Sequence, residues 1–142
     1  MTNSRSDAED AIRTLTAEYS FIVDKTHKFD ELAKLWVEDG IFDASDVGLP
    51  PFNGRDAIRD GFAEMDKQIE ASFHIVGNHL IEVDGDEATG TCWYYGRGKM
   101  ADGEPRDSCG YYDDRYTATA DGWRFRSRTL HLLVPIEYEM DI

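Results

Sequence analysis

The amino-acid sequence predicts an α+β fold in which helices come first and a meander of antiparallel strands follows. Two observations predict this order. In the first half of the chain, apolar residues recur at the three- and four-residue spacing of amphipathic helices. From Ala71 onward the pattern changes to long strand-like runs that are separated by Asp-Gly turn signals. Helices that precede such a meander are expected to cover one face of a curved sheet.

Three helices are predicted before the meander. Ser6 followed by Glu9 has the pattern of a capping box, which indicates the start of the first helix. Glu38-Asp39-Gly40 stops the second helix, and Gly54 opens the third. The predicted ranges are 7–25, 28–37 and 54–69 for the helices, 41–44 for a short strand and 45–53 for a loop.

Four long strands are predicted in the second half of the chain. Gly96-Arg97-Gly98 lies in the middle of the second of them and indicates a bulge. After the last strand, residues 136–140 fit a lid, an oligomer contact or a frayed tail. The predicted strands are 71–84, 87–101, 105–119 and 122–135, joined by turns at Asp84-Gly85-Asp86, Ala101-Asp102-Gly103 and Asp121-Gly122.

Length and composition fit one globular domain that spans residues 1–142, because 41% of the 142 residues are hydrophobic. The net charge of -14 argues against nucleic acid and anionic membranes as partners, since both select basic surfaces. No apolar run approaches the roughly 20 residues that a membrane span needs. The polar N-terminus does not resemble a signal peptide, and two cysteines are too few for a disulfide scaffold. We therefore expect a cytoplasmic protein.

The first long strand carries a histidine whose role the strand pattern leaves open. Side chains alternate across a strand, so His74 and His79, five residues apart, are predicted on opposite faces. That spacing and the absence of known ligand motifs predict no metal site. A histidine in such a strand is either a structural hydrogen-bonding group or a working one. The two predicted faces are His74, Val76, Asn78 and Leu80 on one side, and Phe73, Ile75, His79 and Ile81 on the other.

A series of short motifs in one order gives the chain a family resemblance over roughly residues 8 to 130. The motifs are Tyr19 with Asp24, Phe29-Asp30-Glu31-Leu32, Trp36, Glu38-Asp39-Gly40, Gly54-Arg55-Asp56-Ala57-Ile58, His74 with Asn78, Gly85-Asp86-Glu87-Ala88, Gly110-Tyr111-Tyr112 and Asp121-Gly122-Trp123-Arg124-Phe125. Together they resemble the SnoaL-like branch of the nuclear transport factor 2-like superfamily. The resemblance implies a cone-shaped, strongly bent antiparallel sheet, closed by three helices around a deep pocket. It does not settle function, because the superfamily hosts several chemistries and non-catalytic subunits.

Within that superfamily, the chain is most similar to scytalone dehydratase, hexachlorocyclohexane dehydrochlorinase and bile acid 7α-dehydratase. These resemble each other in using an Asp–His dyad without a cofactor, and Asp24 and His74 match the two positions. The resemblance implies that His74 is the general base, that Asp24 orients it and that Tyr19 protonates a leaving oxygen or holds a carbonyl. The alternatives are that Asp24 pairs with a backbone amide or a nearby lysine, and that Tyr19 is ordinary core packing.

Further residues are predicted to contact a substrate or another protein chain. Arg128 is a possible pocket cation, although strand alternation puts it opposite Trp123 unless a bulge intervenes. Trp93 and Tyr95 are predicted on the outer sheet face, through which proteins of this superfamily commonly form homodimers or homotrimers. The predicted substrate-binding residues are Asn78, Arg128, Trp36, Phe42, Phe62, Tyr94 and Tyr112.

Three functions follow from these residues. The first is a cofactor-independent lyase, acting by dehydratase-like elimination, or an isomerase, on a hydrophobic small molecule. The second is a polyketide cyclase-type aldol enzyme in which Asp24 acts directly and His74 is secondary. The third is a ligand-binding or accessory subunit without chemistry, such as a small subunit of a ring-hydroxylating oxygenase.

Overall fold

The protein folds into a six-stranded sheet covered by three α-helices, as the α+β pattern predicts. The structure is a computed structural model and describes residues 4–134. Residues 135–142, which include the predicted lid, contact or tail, lie outside the described residues. The elements are α1 (Arg5–Phe21), a π-helix (Ile22–Thr26), α2 (Phe29–Ala33), β1 (Trp36–Asp43), a 3₁₀ turn (Ser45–Val47), β2 (Phe52–Asn53), α3 (Arg55–Asp66), β3 (Ile69–Asp84), β4 (Glu87–Met100), β5 (Pro105–Thr119) and β6 (Gly122–Val134).

The four long strands form the predicted meander. The strand order across the sheet is β2-β1-β6-β5-β4-β3, and all pairs are antiparallel except β1 with β6. In the parallel pair, β1 from the first half of the chain lies along the edge of β6, the last strand. Across residues 4–134, no helix combines the length and the apolar character that crossing a membrane requires.

One aromatic ring joins the helical layer to the sheet. Tyr19 of α1 is 3% exposed, and its neighbours come from β1, α3, β5 and β6. Burial of a large apolar side chain contributes about 1.5–3 kcal/mol to the free energy of unfolding. The rings with centroids 5.9–6.4 Å from that of Tyr19 are Trp36, Phe42, Phe62, Tyr112 and Phe125.

The ends of the first two helices differ from their predicted positions. Ser4, not Ser6, caps α1, because the Asp7 backbone N–H donates to the Ser4 hydroxyl at 3.1 Å. The second helix ends at Ala33. Trp36 belongs to β1 instead, where it pairs with Phe125 of β6 and its indole N–H donates to a backbone carbonyl within β1.

A bulge in β3 makes the predicted faces of this strand wrong beyond Gly77. The pairing with β4 shifts by one residue between Gly77 and Leu80, and Asn78 takes a left-handed conformation with φ of 52°. The extra residue reverses the alternation. His79 therefore lies on the inner face with His74, while Asn78 is exposed.

A second bulge acts in the same way on β6. Arg115 pairs with Ser127 and Tyr116 pairs with Phe125, so Arg126 is the extra residue. Arg128 consequently shares the inner face with Phe125. Without this bulge, strand alternation would place Arg128 on the outer face, opposite Trp123.

Candidate functional site

A cavity of about 220 Å³ lies between the helices and the inner face of the sheet. Most of the wall surface is apolar, and His74 is among the polar residues that line it. Four of the predicted substrate-binding residues line it, together with Tyr19 of the predicted catalytic set. These four are Phe42, Phe62, Tyr94 and Tyr112.

Asp24 and His74 are hydrogen-bonded although 50 residues separate them in the chain. Nδ1 of His74 lies 2.8 Å from Oδ1 of Asp24. The His74 backbone N–H donates to Oδ2 of the same carboxylate at 2.7 Å, and the Ser72 hydroxyl donates to Oδ1 at 2.8 Å. Three donors thus fix the carboxylate on β3.

The electrostatics keep Asp24 ionised. Burial on its own raises the pKa of Asp24, but the hydrogen bond and charge of His74 and the hydrogen bond of Ser72 outweigh it, so the net pKa is lowered. A carboxylate that accepts from Nδ1–H fixes the histidine tautomer and leaves Nε2 with a lone pair. The His74 ring, which lines the cavity, can therefore act as a base.

A glycine on the neighbouring strand makes room for the His74 ring. Gly96 of β4 pairs with His74, and a Cβ atom added to Gly96 would lie 2.9 Å from Cδ2 of the ring. The pairing of β4 is regular here on both sides, so the bulge predicted at Gly96-Arg97-Gly98 is wrong. The glycine is needed for close approach of a side chain.

Tyr19 is a protonated hydroxyl donor in the cavity wall. Burial raises the pKa of Tyr19 to about 12, and the positive charge of Arg128 offsets part of that effect. The phenol is therefore neutral at pH 7. It carries a proton that it can donate in a hydrogen bond, but the raised pKa makes it a weaker acid than an exposed tyrosine.

Arg128 lies behind the cavity wall. Its side chain is fully buried and is not part of the lining. Nε and Nη2 donate to the two carboxylate oxygens of Asp114 at 2.9 and 3.1 Å. The guanidinium carbon lies 3.7 Å from the ring centroid of Tyr112 and 4.5 Å from that of Tyr19. The prediction of a pocket cation that contacts substrate is therefore wrong, although the charge lies beneath two wall residues.

Two other predicted substrate-binding residues lie outside the cavity wall. Trp36 is fully buried and fills the core. Asn78 is exposed at the β3 bulge. Neither lines the cavity.

Sequence reasoning missed two hydroxyls and one glycine of the site. Ser72 lies two residues before His74 and shares its face, so strand alternation could have found it. The Ser108 hydroxyl lies 2.8 Å from that of Tyr94 in the cavity wall. Ser108 pairs with Gly96 across β4 and β5, and no sequence signal fixes that pairing register.

A second polar cluster surrounds His79 on the inner face. Nε2 of His79 lies 3.0 Å from the Tyr116 hydroxyl, which donates to Asp114 at 2.6 Å. Potential metal-ligand atoms of His79, Cys92 and Asp114 lie within 4.8 Å of one another. The Arg128 guanidinium already binds both Asp114 oxygens, so its charge opposes a metal cation. Burial also raises the pKa of Cys92 to about 11, which disfavours the thiolate that metals need.

The outer sheet face carries exposed aromatic and aliphatic side chains. Trp93 and Tyr95 are 46% and 40% exposed, and Phe73 and Ile75 of β3 lie beside them. A homodimer or homotrimer through this face stays a prediction, which the mass in solution would decide.

Comparison with sequences finds a relative that has no assigned function. The chain is 29% identical over 120 residues to the uncharacterized protein Rv2910c of Mycobacterium tuberculosis, a match that covers 82% of this chain and 80% of the relative.

Solved structures with the same fold include proteins named as enzymes. A candidate aromatic ring hydroxylase from Novosphingobium aromaticivorans is 26% identical, with a TM-score of 0.89 and coverage of 95% of both chains. A candidate scytalone dehydratase from the same organism is 23% identical, with a TM-score of 0.82 and coverage of 94% and 89%. The hexachlorocyclohexane dehydrochlorinase LinA-type3 from Novosphingobium barchaimii is 19% identical, with a TM-score of 0.82 and coverage of 92% and 89%. The last two similarities establish the fold alone.

The family model described as a SnoaL-like domain matches residues 4–129, nearly all of the chain. This match confirms the resemblance that the motifs indicated, and the chain belongs to the SnoaL-like domain family.

Proposed function

We propose that the protein is a cofactor-independent lyase, or an isomerase, that acts on a hydrophobic small molecule with His74 as the general base and Asp24 as its orienting carboxylate. The observation that carries this proposal is the 2.8 Å hydrogen bond between Nδ1 of His74 and Asp24 at the wall of an apolar cavity. Solved structures of the same fold are named as a candidate scytalone dehydratase and a hexachlorocyclohexane dehydrochlorinase, and both names denote eliminations, which supports the proposal.

The proposed elimination is redox-neutral and needs no cofactor. Nε2 of His74 takes a proton from the carbon next to the one that bears the leaving group. The electron pair of that C–H bond becomes the new C=C bond, and the bond to the leaving group breaks. A hydroxyl leaves as water when Tyr19 donates a proton to it, and a chloride leaves as the ion. His74 then loses its proton to solvent, and Tyr19 regains one. In an isomerisation, His74 would return the proton to another carbon of the same molecule.

The largely apolar surface of the cavity wall supports a hydrophobic, ring-containing substrate. Phe29, Phe62 and Met65 contribute apolar surface on the helical side. The hydroxyls of Tyr19, Tyr94 and Ser108 provide a few hydrogen-bonding groups, which suit one or two oxygen atoms. Scytalone and hexachlorocyclohexane are suitable first test compounds because each carries a leaving group on a six-membered ring.

The test is turnover of such a panel by the wild-type protein and by two variants. We expect His74→Ala and Asp24→Asn to lower kcat/KM by at least about 100-fold, the usual contribution of a positioned base. His131→Ala is the matched control, because His131 lies near the outer-face residue Tyr111 and pairs with Asp113. Circular dichroism checks that the variants fold. Activity of His74→Ala within about threefold of wild type would rule out the mechanism.

A second candidate function is supported by the similarity to the candidate aromatic ring hydroxylase. In that case the chain would bind an aromatic compound, or assist a hydroxylase, without eliminating anything. The same variants separate the two functions. Binding of a panel compound that is never converted, with an affinity that His74→Ala leaves unchanged, would favour the second.

A further inference from the structure

Asp24 lies on a π-helical turn of five residues that ends in an uncommon backbone conformation. The π-helix Ile22–Thr26 continues α1 with the wide hydrogen-bond spacing that is rare in proteins and often marks functional sites. His27 ends this turn in a left-handed conformation with φ of 56°, and its N–H donates to the Ile22 carbonyl at 2.8 Å. A left-handed conformation costs a residue with a side chain some free energy, and contacts of the His27 side chain offset this cost.

Those contacts come from α3. Nδ1 of His27 lies 2.9 Å from Oδ1 of Asp66, the last residue of α3, and Asp66 lines the cavity. The His27 ring also packs edge to face on Phe29, with centroids 6.2 Å apart. Phe29 in turn stacks on Phe62 of α3 at 6.4 Å. The end of the π-helical turn is thus attached to α3 by one hydrogen bond and a pair of ring contacts.

The turn therefore lies between two attachments. The Asp24 carboxylate is bound to β3 through Ser72 and His74, and the far end of the turn is bound to α3 through His27. If the second attachment is lost, the turn is held only from the α1 side and through the bonds of Asp24 to β3, so its far end can move and take the carboxylate out of line with the His74 ring. We infer that His27, through its hydrogen bond to Asp66, is a positioning residue for the Asp24–His74 pair. This inference rests on the proposed function in one respect, that Asp24 and His74 are the catalytic pair.

The exposure of the pair separates positioning from a general role in stability. The His27 and Asp66 side chains are 39% and 33% exposed, and ion pairs this close to solvent contribute little to global stability. Loss of the hydrogen bond should therefore loosen the turn locally and leave the fold in place. Local loosening of the turn can be measured as faster exchange with water of the proton in the hydrogen bond between His74 and Asp24.

The test is the exchange of the His74 Nδ1–H proton with water, followed by NMR on protein with ¹⁵N-labelled histidine. The resonance is assigned by its loss in His74→Gln. In Asp66→Ala, which has no acceptor for His27, we expect the exchange rate to rise by at least about tenfold through local opening. Asp66→Asn keeps an oxygen acceptor and should stay within about twofold of wild type. Glu64→Ala should do the same, because it removes an exposed carboxylate of α3 that pairs only with Lys67 among the described contacts.

An unchanged exchange rate in Asp66→Ala would overturn the inference, and so would an equal rise in Asp66→Asn or Glu64→Ala. If circular dichroism shows that Asp66→Ala is unfolded, His27→Asn replaces it. Asparagine accepts the left-handed conformation but is too short to make the same contact, so the expected rise is the same. The measurement needs no substrate. Failure of the turnover experiment would remove the proposed function while leaving this result to be judged separately.

Discussion

At the scale of single residues, the His74 ring depends on the missing side chain of Gly96. A Cβ atom there would lie 2.9 Å from Cδ2 and 3.0 Å from Nε2 of the ring, closer than real contacts allow. We expect Gly96→Ala to push the ring away from Asp24 and to lower kcat/KM by at least about tenfold, because misplacement of a base by a fraction of an ångström is costly. Turnover of the substrate found in the panel measures the effect.

Gly77→Ala is the control for this prediction. Gly77 lies on β3 near His74, and a Cβ atom there has no neighbour within 4 Å. Its kcat/KM should stay near that of wild type. Equal losses in the two variants would mean that glycine flexibility, and not room for the ring, is what matters at Gly96.

The same residues show how far the sequence can predict the candidate site. Asp24 and His74 were predicted through the resemblance, because their order along the chain matches a known pattern. Gly96 and Ser108 were not, because each acts through a neighbour on the adjacent strand. The register of a hairpin depends on the exact type and length of its turn, which a short signal such as Ala101-Asp102-Gly103 does not fix.

At the scale of elements, single extra residues in β3 and β6 decide which side chains face inward. The predicted strand ranges were close to those observed, yet Asn78, His79 and Arg128 all needed a bulge to be assigned correctly. A bulge changes the strand range by only one residue, yet it reverses the alternation of every residue after it. Of these two bulges, the one in β3 has a sequence sign, since asparagine tolerates a left-handed conformation better than most residues do.

The bulge conformation predicts a stability effect at Asn78. Its φ of 52° is unfavourable for a residue with a plain Cβ atom by about 1–2 kcal/mol. We expect Asn78→Ala to lower the free energy of unfolding by about 1 kcal/mol and Asn78→Gly to change it by less, as measured in urea. Glu82→Ala, at an exposed position of the same strand, is the control and should change it by less than about 0.5 kcal/mol. A loss at Asn78→Gly as large as at Asn78→Ala would contradict the conformational explanation.

At the scale of the whole molecule, helical spacing and turn signals predicted the layers and the meander, because both come from local periodicity. The parallel pairing of β1 with β6 was not predicted, since it joins residues 86 positions apart, as in the pair Ile41 and Ser127. The buried network around His79 was also missed. It gathers His79, Tyr116, Asp114 and Arg128 from three strands against a core of mostly apolar and aromatic residues.

This network predicts how the stability of the molecule depends on pH. Burial lowers the pKa of His79, and the charge of Arg128 lowers it further, against an opposing effect of Asp114. The folded protein therefore favours neutral His79. The stability that follows is present above the unfolded-state pKa of about 6.5 and is lost as pH falls through the lower folded-state pKa. The lowered pKa of Asp24 adds a second loss, which begins only below about pH 4.

We expect the free energy of unfolding in urea to fall between pH 7 and pH 5, a window in which unfolding allows His79, and not Asp24, to take up a proton. His79→Gln keeps a hydrogen-bonding group for Tyr116 but cannot be protonated, so its stability should be nearly flat across the same window. His131→Gln is the matched control. Nε2 of His131 lies 3.1 Å from Oδ2 of Asp113, outside the buried network, so this variant should retain the fall in stability. A fall that persists in His79→Gln would assign the acid sensitivity to another group and would remove the buried network as its cause.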